Sequence, residues 1–364
     1  MESKEVRGII AGGGTGGHLH PGLAIAREIC RRSENAELLF VTGRRKMELD
    51  ILNRTGFLQA SIDVEGLKGR GWFKGLRALV KLPLSFFQSF SIIRGFSPNI
   101  VIGVGGYSAG PVCVLSRLMG IPSAIHEQNS YPGLTNRILC RVVDRVFISF
   151  EESRAHFPGG SLLLTGNPIL EEFLAGNTKS GEKNQIFTIL IVGGSQGAHA
   201  INRSMVETLK ILKERGKVPG VIHQTGETDY KEVVEAYRRE GVKGEVLPFI
   251  EDMGRAYSQA DLVIGRAGAA TVSELAALGK PSILIPYPHA ANRHQETNAQ
   301  MLVRAGGAEM MIEETLSGQR LAESLMRYMN DRPALTEMGQ RAKKVGRGDA
   351  AGIIVDQLME MIKN

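Results

Sequence analysis

Near the start of the chain stands Val6-Arg-Gly-Ile-Ile-Ala-Gly-Gly-Gly-Thr-Gly-Gly-His-Leu-His-Pro-Gly-Leu-Ala-Ile-Ala26. A short apolar run leads into a turn at residues 12–17 that is almost all glycine, and apolar residues recur with helical spacing beyond Pro21. This order predicts a strand, a loop and a helix. Glycines let the backbone approach a bound group closely, and the first N–H groups of a helix carry partial positive charge. The stretch therefore predicts a phosphate-binding loop.

The same pattern occurs a second time, halfway along the chain. A predicted strand over Phe187–Val192 is followed by the turn Gly193–Ala198 and by a helix containing Ile201 and Met205. Strand and helix patterns alternate through both halves, which predicts parallel sheets with helices on both faces. The expected fold class is α/β, with two doubly wound, Rossmann-like lobes facing a cleft.

Length and composition agree with two domains of an ordinary globular protein. The chain has 364 residues, of which 43% are hydrophobic, and one core rarely serves so long a chain. Gly159–Asn184 is rich in glycine, serine, asparagine and lysine, which favours a linker. The charged first residues lead straight into a strand, so we expect no signal peptide and no export.

A basic, apolar segment follows the second predicted strand. Residues 66–126 contain seven Lys or Arg and no Asp or Glu. A solvated basic face is one interpretation, and nucleic-acid binding is disfavoured because few aromatic residues lie among the basic ones. We favour an apolar patch, rimmed by cations, that docks on anionic lipid. Its predicted members are Lys74, Arg77, Leu79, Lys81, Phe86 and Phe87.

Three polar motifs stand at predicted strand ends or helix starts in the first half. His126-Glu127-Gln128-Asn129 is as well explained by a polar turn as by a site, and Gly105-Gly106-Tyr107-Ser108 carries ordinary turn residues. His18 lies in the first turn of the phosphate-type helix. There it serves equally well as a general base or as a helix cap.

The second half holds the densest cluster of polar residues. It consists of Arg266-Ala-Gly268-Ala-Ala-Thr271-Val-Ser273-Glu274 and, after the next strand, the stretch 286–298. Glu274 can accept two hydrogen bonds from a ribose diol, and Gln295 and Asn298 can present amides to sugar hydroxyls. Together they suggest a nucleotide sugar.

Nothing in the sequence predicts a metal or a cofactor. Asp-x-Asp is absent, and Cys30, Cys113 and Cys140 lack the spacing of metal ligands. We expect these cysteines to be reduced core residues. The charge on a leaving phosphate would then be stabilised by helix termini and hydroxyls.

Eight sequence blocks resemble the MurG family, bacterial enzymes that transfer N-acetylglucosamine from UDP-GlcNAc to lipid I. They are GGGTGGHLHPGLA, GGYSAGP, HEQN, TGNP, GGSQGA, HQTG, RAGAATVSE and PYPHAANRHQETNA. The resemblance implies a metal-independent, inverting glycosyltransferase of the B fold. It implies an acceptor and membrane-associating lobe over residues 1–168, a UDP-GlcNAc-binding lobe over 169–346, and a helix over 347–364 that returns to the first lobe.

The resemblance also implies roles for individual residues. Donor contacts fall on Thr15, Gly16, Gly17, Asn129, Ser195, Ile250, Ala269, Ala270, Thr271, Val272, Ser273, Glu274 and Gln295. We assign acceptor or phosphate contacts to Gly13, Gly14, Tyr107 and Glu127, and the role of general base to His18. The chain departs from the family at Leu170, where an arginine that contacts the donor is common.

The implied reaction is a single displacement at the anomeric carbon by the C4 hydroxyl of the muramoyl sugar, giving β-linked lipid II. The implied partners are UDP-GlcNAc, undecaprenyl-linked lipid I, an anionic membrane surface and other cell-wall synthesis or division proteins. No nucleic acid is expected. The expected location is the cytoplasmic face of the bacterial membrane, as a peripheral protein.

Three alternatives stay open at this point. The spacing of Gly12, Gly14 and Gly17 fits a dinucleotide oxidoreductase, and Arg44 and Arg45 at the next strand end would suit NADP. A non-catalytic membrane-docking module is the second alternative. The third is another B-fold transferase that glycosylates a diacylglycerol.

Overall fold

The computed structural model describes residues 5–13, 16–64, 72–176, 186–194 and 196–363. At residues 16, 46, 47, 72–81, 175 and 176 it describes the backbone alone. The chain divides into two compact units: Met1–Leu170 together with Asp349–Asn364, and Glu171–Gly348.

The first unit is built on a seven-stranded parallel sheet. Its strands are β1 Arg7–Ala11, β2 Glu37–Thr42, β3 Leu58–Ser61, β4 Ile100–Gly103, β5 Ser123–Glu127, β6 Arg145–Ile148 and β7 Leu162–Leu164. Its sequential helices are α1 Gly16–Arg32, α2 Lys46–Asn53, α3 Trp72–Phe96, α4 Ala109–Leu118 and α5 Leu134–Leu139, with a 3₁₀ helix at Glu151–His156. The strand order is β3-β2-β1-β4-β5-β6-β7.

The second unit repeats this plan with a six-stranded parallel sheet. Its helices are α6 Glu171–Gly176, α7 His199–Glu214, α8 Tyr230–Glu240, α9 Met253–Gln259, α10 Ala269–Leu278, α11 His294–Arg304, α12 Gly318–Asn330 and α13 Arg332–Val345. Its strands are β8 Thr188–Val192, β9 Gly220–Gln224, β10 Glu245–Leu247, β11 Leu262–Gly265, β12 Ser282–Leu284 and β13 Ala308–Met310. The strand order is β10-β9-β8-β11-β12-β13.

The last helix, α14 Ala350–Lys363, belongs to the first unit although the chain before it belongs to the second. It packs against α1, and its apolar face, including Ile354 and Leu358, is buried. Arg32 of α1 forms an ion pair with Asp356, and Arg145 of β6 lies 3.5 Å from Glu360. Apolar burial and ion pairs together fix α14 on this unit.

Both cores form because the central strands are apolar along their whole length. Every residue of β4, β8 and β11 is buried, as expected for parallel strands covered by helices on both faces. The uncharged stretch 95–116 forms β4, a turn and most of α4, as predicted. Among the helices of the described residues, none is long and apolar enough to cross a membrane.

Two expectations need correction. The stretch Gly159–Asn184 is not only a linker, because it contains β7 and α6. Cys113 and Cys140 are buried, but Cys30 is exposed.

In both sheets the strand order reverses next to the first strand of the unit. The reversal lies between β1 and β4 in the first unit and between β8 and β11 in the second. Helices after these strands go to opposite faces, which leaves a crevice at the carboxyl ends where ligands bind in such sheets. A ligand site is therefore expected at these two switch points.

Candidate functional site

At the first switch point, glycines of two loops interlock. The N–H of Gly13, after β1, donates to the carbonyl of Gly105, after β4, at 3.2 Å. Gly106 has φ +83°, and a Cβ there would overlap the carbonyl oxygen of Gly13. Only glycine satisfies both demands. The predicted phosphate loop is therefore fixed at residues 12 and 13, while Gly14 and Thr15 lie outside the described residues.

His18 lies against this interlock, in the first turns of α1. Its Nδ1 is 3.0 Å from the carbonyl oxygen of Gly13. A carbonyl only accepts, so Nδ1 carries the proton and Nε2 is the nitrogen that can take one. Gly105 packs beside the ring, since a Cβ there would be 3.2 Å from His18 Cδ2. His18 thus has the tautomer that a general base at Nε2 requires.

His126, at the end of β5, is completely buried and tied into the same loops. Its Nε2 is 3.2 Å from the Gly166 carbonyl and 3.1 Å from Ser149 Oγ. Gln128 Nε2 donates to its Nδ1 at 3.1 Å and to the carbonyl of Val104 at 2.8 Å. Burial lowers the pKa of His126 to about 4, against the opposing effect of the Gly166 bond. The ring is therefore neutral at neutral pH.

Glu127 organises the loop that carries Asn129. Its carboxylate accepts hydrogen bonds from the backbone N–H of Asn129 at 2.9 Å and of Gly133 at 3.0 Å. The side chain of Asn136 donates to it at 2.8 Å and that of Asn129 at 3.3 Å. With four donors from the following loop and α5, the buried Glu127 shapes the site instead of pointing out of it. Asn129 is half-buried and Tyr107 is 38% exposed.

In the second unit, the loop after β8 interlocks with the loop after β9. Gly197 and Gly226 have φ values of +77° and +78°. A Cβ on Gly197 would overlap the carbonyl of Thr225, and one on Gly226 would overlap that of Gln196. Ser195 lies outside the described residues.

A buried polar network supports this second interlock. His223 Nε2 is 3.0 Å from Asn202 Oδ1, and its Nδ1 is 2.7 Å from the Tyr237 hydroxyl. Asn202 in turn donates to the carbonyl of Thr225 at 2.9 Å. Burial lowers the pKa of His223 to about 3. This histidine is neutral and structural.

The predicted donor run coincides with the start of α10. Gly268 is the N-cap and brings no capping side chain, so the first amides of the helix, at Ala269, Ala270 and Thr271, are directed at the loop side. Thr271 and Ser273 are half-buried, whereas the side chain of Val272 is fully buried. The N–H of Val272 donates to the Gly268 carbonyl at 2.9 Å, so the predicted donor contact by Val272 is wrong. Helix amides and hydroxyls of this kind suit a phosphate.

Glu274 is held in place by a buried tyrosine of α9. The Tyr257 hydroxyl donates to Glu274 Oε2 at 2.7 Å. Burial raises the pKa of Glu274, and the bond from Tyr257 opposes that effect. Because Oε2 is bound by Tyr257, Oε1 is the oxygen that can accept from a ribose hydroxyl. Sequence analysis did not find Tyr257, which lies 17 residues away on another helix.

The stretch after β12 lies next to α10, but its two amides have different roles. Gln295 Oε1 accepts from the backbone N–H of Tyr287 at 2.9 Å, which leaves its NH₂ group for a ligand. Asn298 is fully buried, and its NH₂ group donates to the Ala267 carbonyl at 3.2 Å. The expectation that Asn298 faces a sugar is therefore wrong. Asn298 joins α11 to the loop before α10.

Arg266, at the start of the polar cluster of the second unit, has a structural role. Its guanidinium donates to the carbonyls of Ile285 and Pro286 at 3.2 and 3.3 Å, and forms an ion pair with Glu313. The guanidinium also lies 5.3 Å from the centre of the Tyr287 ring. Arg266 therefore ties the loops after β11 and β12 together. Ile250, after β10, is buried at 5% exposure.

The predicted membrane patch falls on α3. The side chains of Lys74, Arg77, Leu79 and Lys81 lie outside those that the structure describes. Phe86 is half-buried, and Phe87 is 68% exposed. Leu84 and Phe90, three residues to either side of Phe87, are 47% and 40% exposed. The described part of α3 thus carries an exposed apolar stripe.

No cluster of three or more His, Cys, Asp or Glu side chains suited to a metal ion occurs among the residues that the structure describes.

The chain matches known proteins of one family along nearly its whole length. The models of the glycosyltransferase family 28 N-terminal and C-terminal domains match residues 9–148 and 188–352. A relative from Syntrophus aciditrophicus is 46% identical over 98% of this chain and 99% of its own length. One from Geobacter sulfurreducens is 44% identical over 96% and 97%. Both are named UDP-N-acetylglucosamine--N-acetylmuramyl-(pentapeptide) pyrophosphoryl-undecaprenol N-acetylglucosamine transferase.

Among solved structures, the crystal structure of MurG from Acinetobacter baumannii matches with a TM-score of 0.76 and 32% identity. The match covers 97% of this chain and 99% of that one.

Proposed function

We infer, because the chain belongs to glycosyltransferase family 28, that it transfers N-acetylglucosamine from UDP-GlcNAc to the undecaprenyl-diphosphate-linked muramoyl-pentapeptide, lipid I, and so makes lipid II. The expected fold class, two Rossmann-like units of the glycosyltransferase B fold, is confirmed. Family membership sets aside the NADP-dependent oxidoreductase and the non-catalytic docking module.

One observation carries the donor assignment: the start of α10 combines two kinds of group. Helix amides at Ala269 to Thr271 suit a diphosphate, and the carboxylate of Glu274, one turn on, suits a ribose diol. A nucleoside diphosphate sugar has both groups. We therefore place UDP-GlcNAc on the second unit, with Gln295 as a further contact.

The acceptor side of the proposal belongs to the first unit. Because the N–H of Gly13 donates to the Gly105 carbonyl, the predicted phosphate contact by Gly13 is replaced by the first amides of α1, which we assign to the lipid diphosphate. His18 Nε2 takes the proton of the C4 hydroxyl. The hydroxyl oxygen attacks the anomeric carbon from the face opposite UDP, so the new linkage is β. UDP leaves with the bonding electron pair, and its charge is stabilised by the start of α10. Glu127 positions Asn129 through the loop bonds described above.

We further propose that α3 holds the protein at an anionic membrane surface. Leu84, Phe87 and Phe90 form an exposed apolar stripe, and the same helix carries Lys74, Arg77 and Lys81. Apolar burial and attraction to anionic lipid together give reversible attachment. This would bring the enzyme to an acceptor that stays in the bilayer.

The test is transfer of radiolabelled N-acetylglucosamine from UDP-GlcNAc to a short-chain lipid I analogue, with EDTA present. We expect the wild type to be active and His18→Ala to lose at least about a hundredfold in kcat. Transfer to diacylglycerol instead of the lipid I analogue would overturn the acceptor assignment. Loss of activity with EDTA, restored by a divalent ion, would overturn the metal-independent mechanism.

A further inference from the structure

Gln128 has no role in the function proposed so far, yet it is buried at 2% exposure beside the first switch point. Its NH₂ group has two acceptors, the carbonyl of Val104 at 2.8 Å and His126 Nδ1 at 3.1 Å. Its carbonyl oxygen, Oε1, is also buried, and among the described residues it has no hydrogen-bond donor. A buried acceptor without a donor is costly.

The orientation of this amide follows from its neighbours. His126 Nε2 faces the carbonyl of Gly166, which cannot donate, so Nε2 carries the proton and Nδ1 must accept. The group opposite Nδ1 must then be the NH₂ of Gln128. Turning the amide over would place Oε1 against the Val104 carbonyl and the lone pair of Nδ1. Oε1 is therefore directed away from both.

Gly105 brings this oxygen and the ring of His18 to the same place. A Cβ on Gly105 would lie 3.4 Å from Gln128 Oε1 and 3.2 Å from His18 Cδ2. The amide oxygen and the imidazole ring thus border the same side of Gly105, where a Cβ would contact both. The tautomer of His126 sets the orientation of the Gln128 amide, and this orientation places the partially negative Oε1 beside His18.

We propose that Gln128 is a positioning residue for His18: its side-chain oxygen stabilises the positively charged ring that forms when Nε2 takes the acceptor's hydroxyl proton. The inference rests on the proposed role of His18. In that step the O–H bond breaks as oxygen bonds to the anomeric carbon, and the bond to UDP breaks with its electron pair. The charge on His18 lasts until the proton passes to solvent.

Two other titratable groups among the described residues lie beside the loops of this site. His126, from β5, stays neutral above about pH 4 because of its burial. Glu48, from α2, lies against the backbone of Gly13, within 3.1 Å of where a Cβ on that glycine would be. Both remain in place in the variants below, so a change in the titration of His18 reports on Gln128.

The experiment is an NMR titration of histidine side chains in the full chain, with His18→Gln identifying the signal of His18. Gln128→Met removes the oxygen and is expected to lower the titration midpoint of His18 by about half a pH unit. Gln128→Glu places a carboxylate there and is expected to raise it by about one unit. The matched control is Asn99→Leu, which removes an amide with two backbone bonds at the amino ends of the central strands, away from the site.

Opposite shifts in the two variants, with none in the control, would support the proposal, because a change of packing alone has no reason to alternate in sign. An unmoved midpoint in the folded variants, or shifts of one sign, would overturn it. Transfer assays separate this from the proposed function. We expect about a tenfold lower kcat in Gln128→Met at unchanged KM for UDP-GlcNAc. If the Gln128 variants shift the titration of His18 but His18→Ala transfers normally, the proposed role of His18 as general base would be refuted instead.

Discussion

The two units share one sheet order but lock their glycine loops in different directions. In the first unit, the loop after β1 interlocks with the loop after β4, across the switch point, through Gly13 and Gly106. In the second, the loop after β8 interlocks with the loop after β9, away from the switch point, through Gly197 and Gly226. The crevice of the first unit is thereby bordered by His18, and that of the second by the start of α10.

On the proposed assignments, this difference lets one fold support two chemistries. The locked loop of the first unit would hold the proposed base, His18, at a fixed place, as proton transfer requires. In the second unit the lock lies on the far side, so the amides of α10 and the Tyr257–Glu274 pair border the crevice and suit a nucleotide. The different roles proposed for the two units therefore follow from which neighbouring loop the first glycine loop of each unit contacts.

Breaking each lock should give the largest effects. Gly106→Ala and Gly197→Ala each add a Cβ that overlaps a carbonyl oxygen at positive φ, with an expected cost of about 3 kcal/mol in the free energy of unfolding. In any folded fraction, Gly106→Ala should lower kcat for transfer while UDP binding persists, and Gly197→Ala should weaken UDP binding and raise KM for UDP-GlcNAc. Urea unfolding and UDP calorimetry measure both. The control is Gly216→Ala, also at positive φ but with nothing within 4 Å of its Cβ; equal losses in all three variants would refute the locks.

The assignment of UDP-GlcNAc to the second unit is tested by substituting Glu274 and Tyr257, the two partners of one hydrogen bond. Glu274→Gln is expected to raise KM for UDP-GlcNAc about thirtyfold, or roughly 2 kcal/mol, because a charged acceptor for the ribose is lost. Tyr257→Phe removes the same internal bond but leaves the carboxylate, so its KM should rise only a few-fold. Similar KM values in the two variants would show that Glu274 is structural.

The two buried histidines, one in each unit, make the stability of both units depend on pH. Both His126 and His223 have pKa values well below the 6.5 of an unfolded histidine. Between pH 6.5 and about 4 the unfolded chain therefore binds protons that the folded chain does not, and stability falls as pH falls. Each of these histidines should lower the free energy of unfolding by about 2 kcal/mol between pH 7 and pH 5.

Replacing one of them should flatten that dependence. His223→Gln, measured by urea unfolding at pH 7 and pH 5, should lose about 2 kcal/mol less than the wild type. His289→Gln, at an exposed histidine, should behave as the wild type. A wild-type slope in His223→Gln would mean that other groups cause the acid sensitivity.

The smallest expected effect concerns membrane binding, which we expect of the first unit and not of the second. Phe87→Ser on α3 should weaken binding to anionic vesicles about tenfold, since one exposed phenyl ring no longer enters the lipid. Phe249 is also exposed, at 52%, but lies in the second unit, so Phe249→Ser should leave vesicle binding unchanged. Equal behaviour of the two variants in a sedimentation assay would contradict docking through α3.

The sequence predicts the central strands better than the edges, for a physical reason. Strands β1, β4, β8 and β11 are buried on both faces, so their apolar runs are plain. Sequence analysis missed β3 at one sheet edge, where the four residues are half-buried or exposed. It read β7, at the other edge, as part of a linker, because polar residues surround its three leucines.

For the site, the sequence indicates which segments matter but not which atoms face outward. His18 and Glu274 stand in recognisable motifs, but their partners Gly13 and Tyr257 come from a loop and another helix. Glu127 and Asn298 looked like ligand contacts, and both use their polar groups inside the protein. Only tertiary contacts distinguish a side chain that binds a ligand from one that shapes a loop.

The placement of α14 has a consequence for synthesis on the ribosome. The first unit contains residues up to 170 and then 349 onward, so its apolar α1 surface stays uncovered while the whole second unit is being made. The second unit can complete itself first, although it is encoded later. Translation order and folding order are therefore expected to differ, and a fragment ending at residue 170 should need α14 supplied as a separate peptide to become stable.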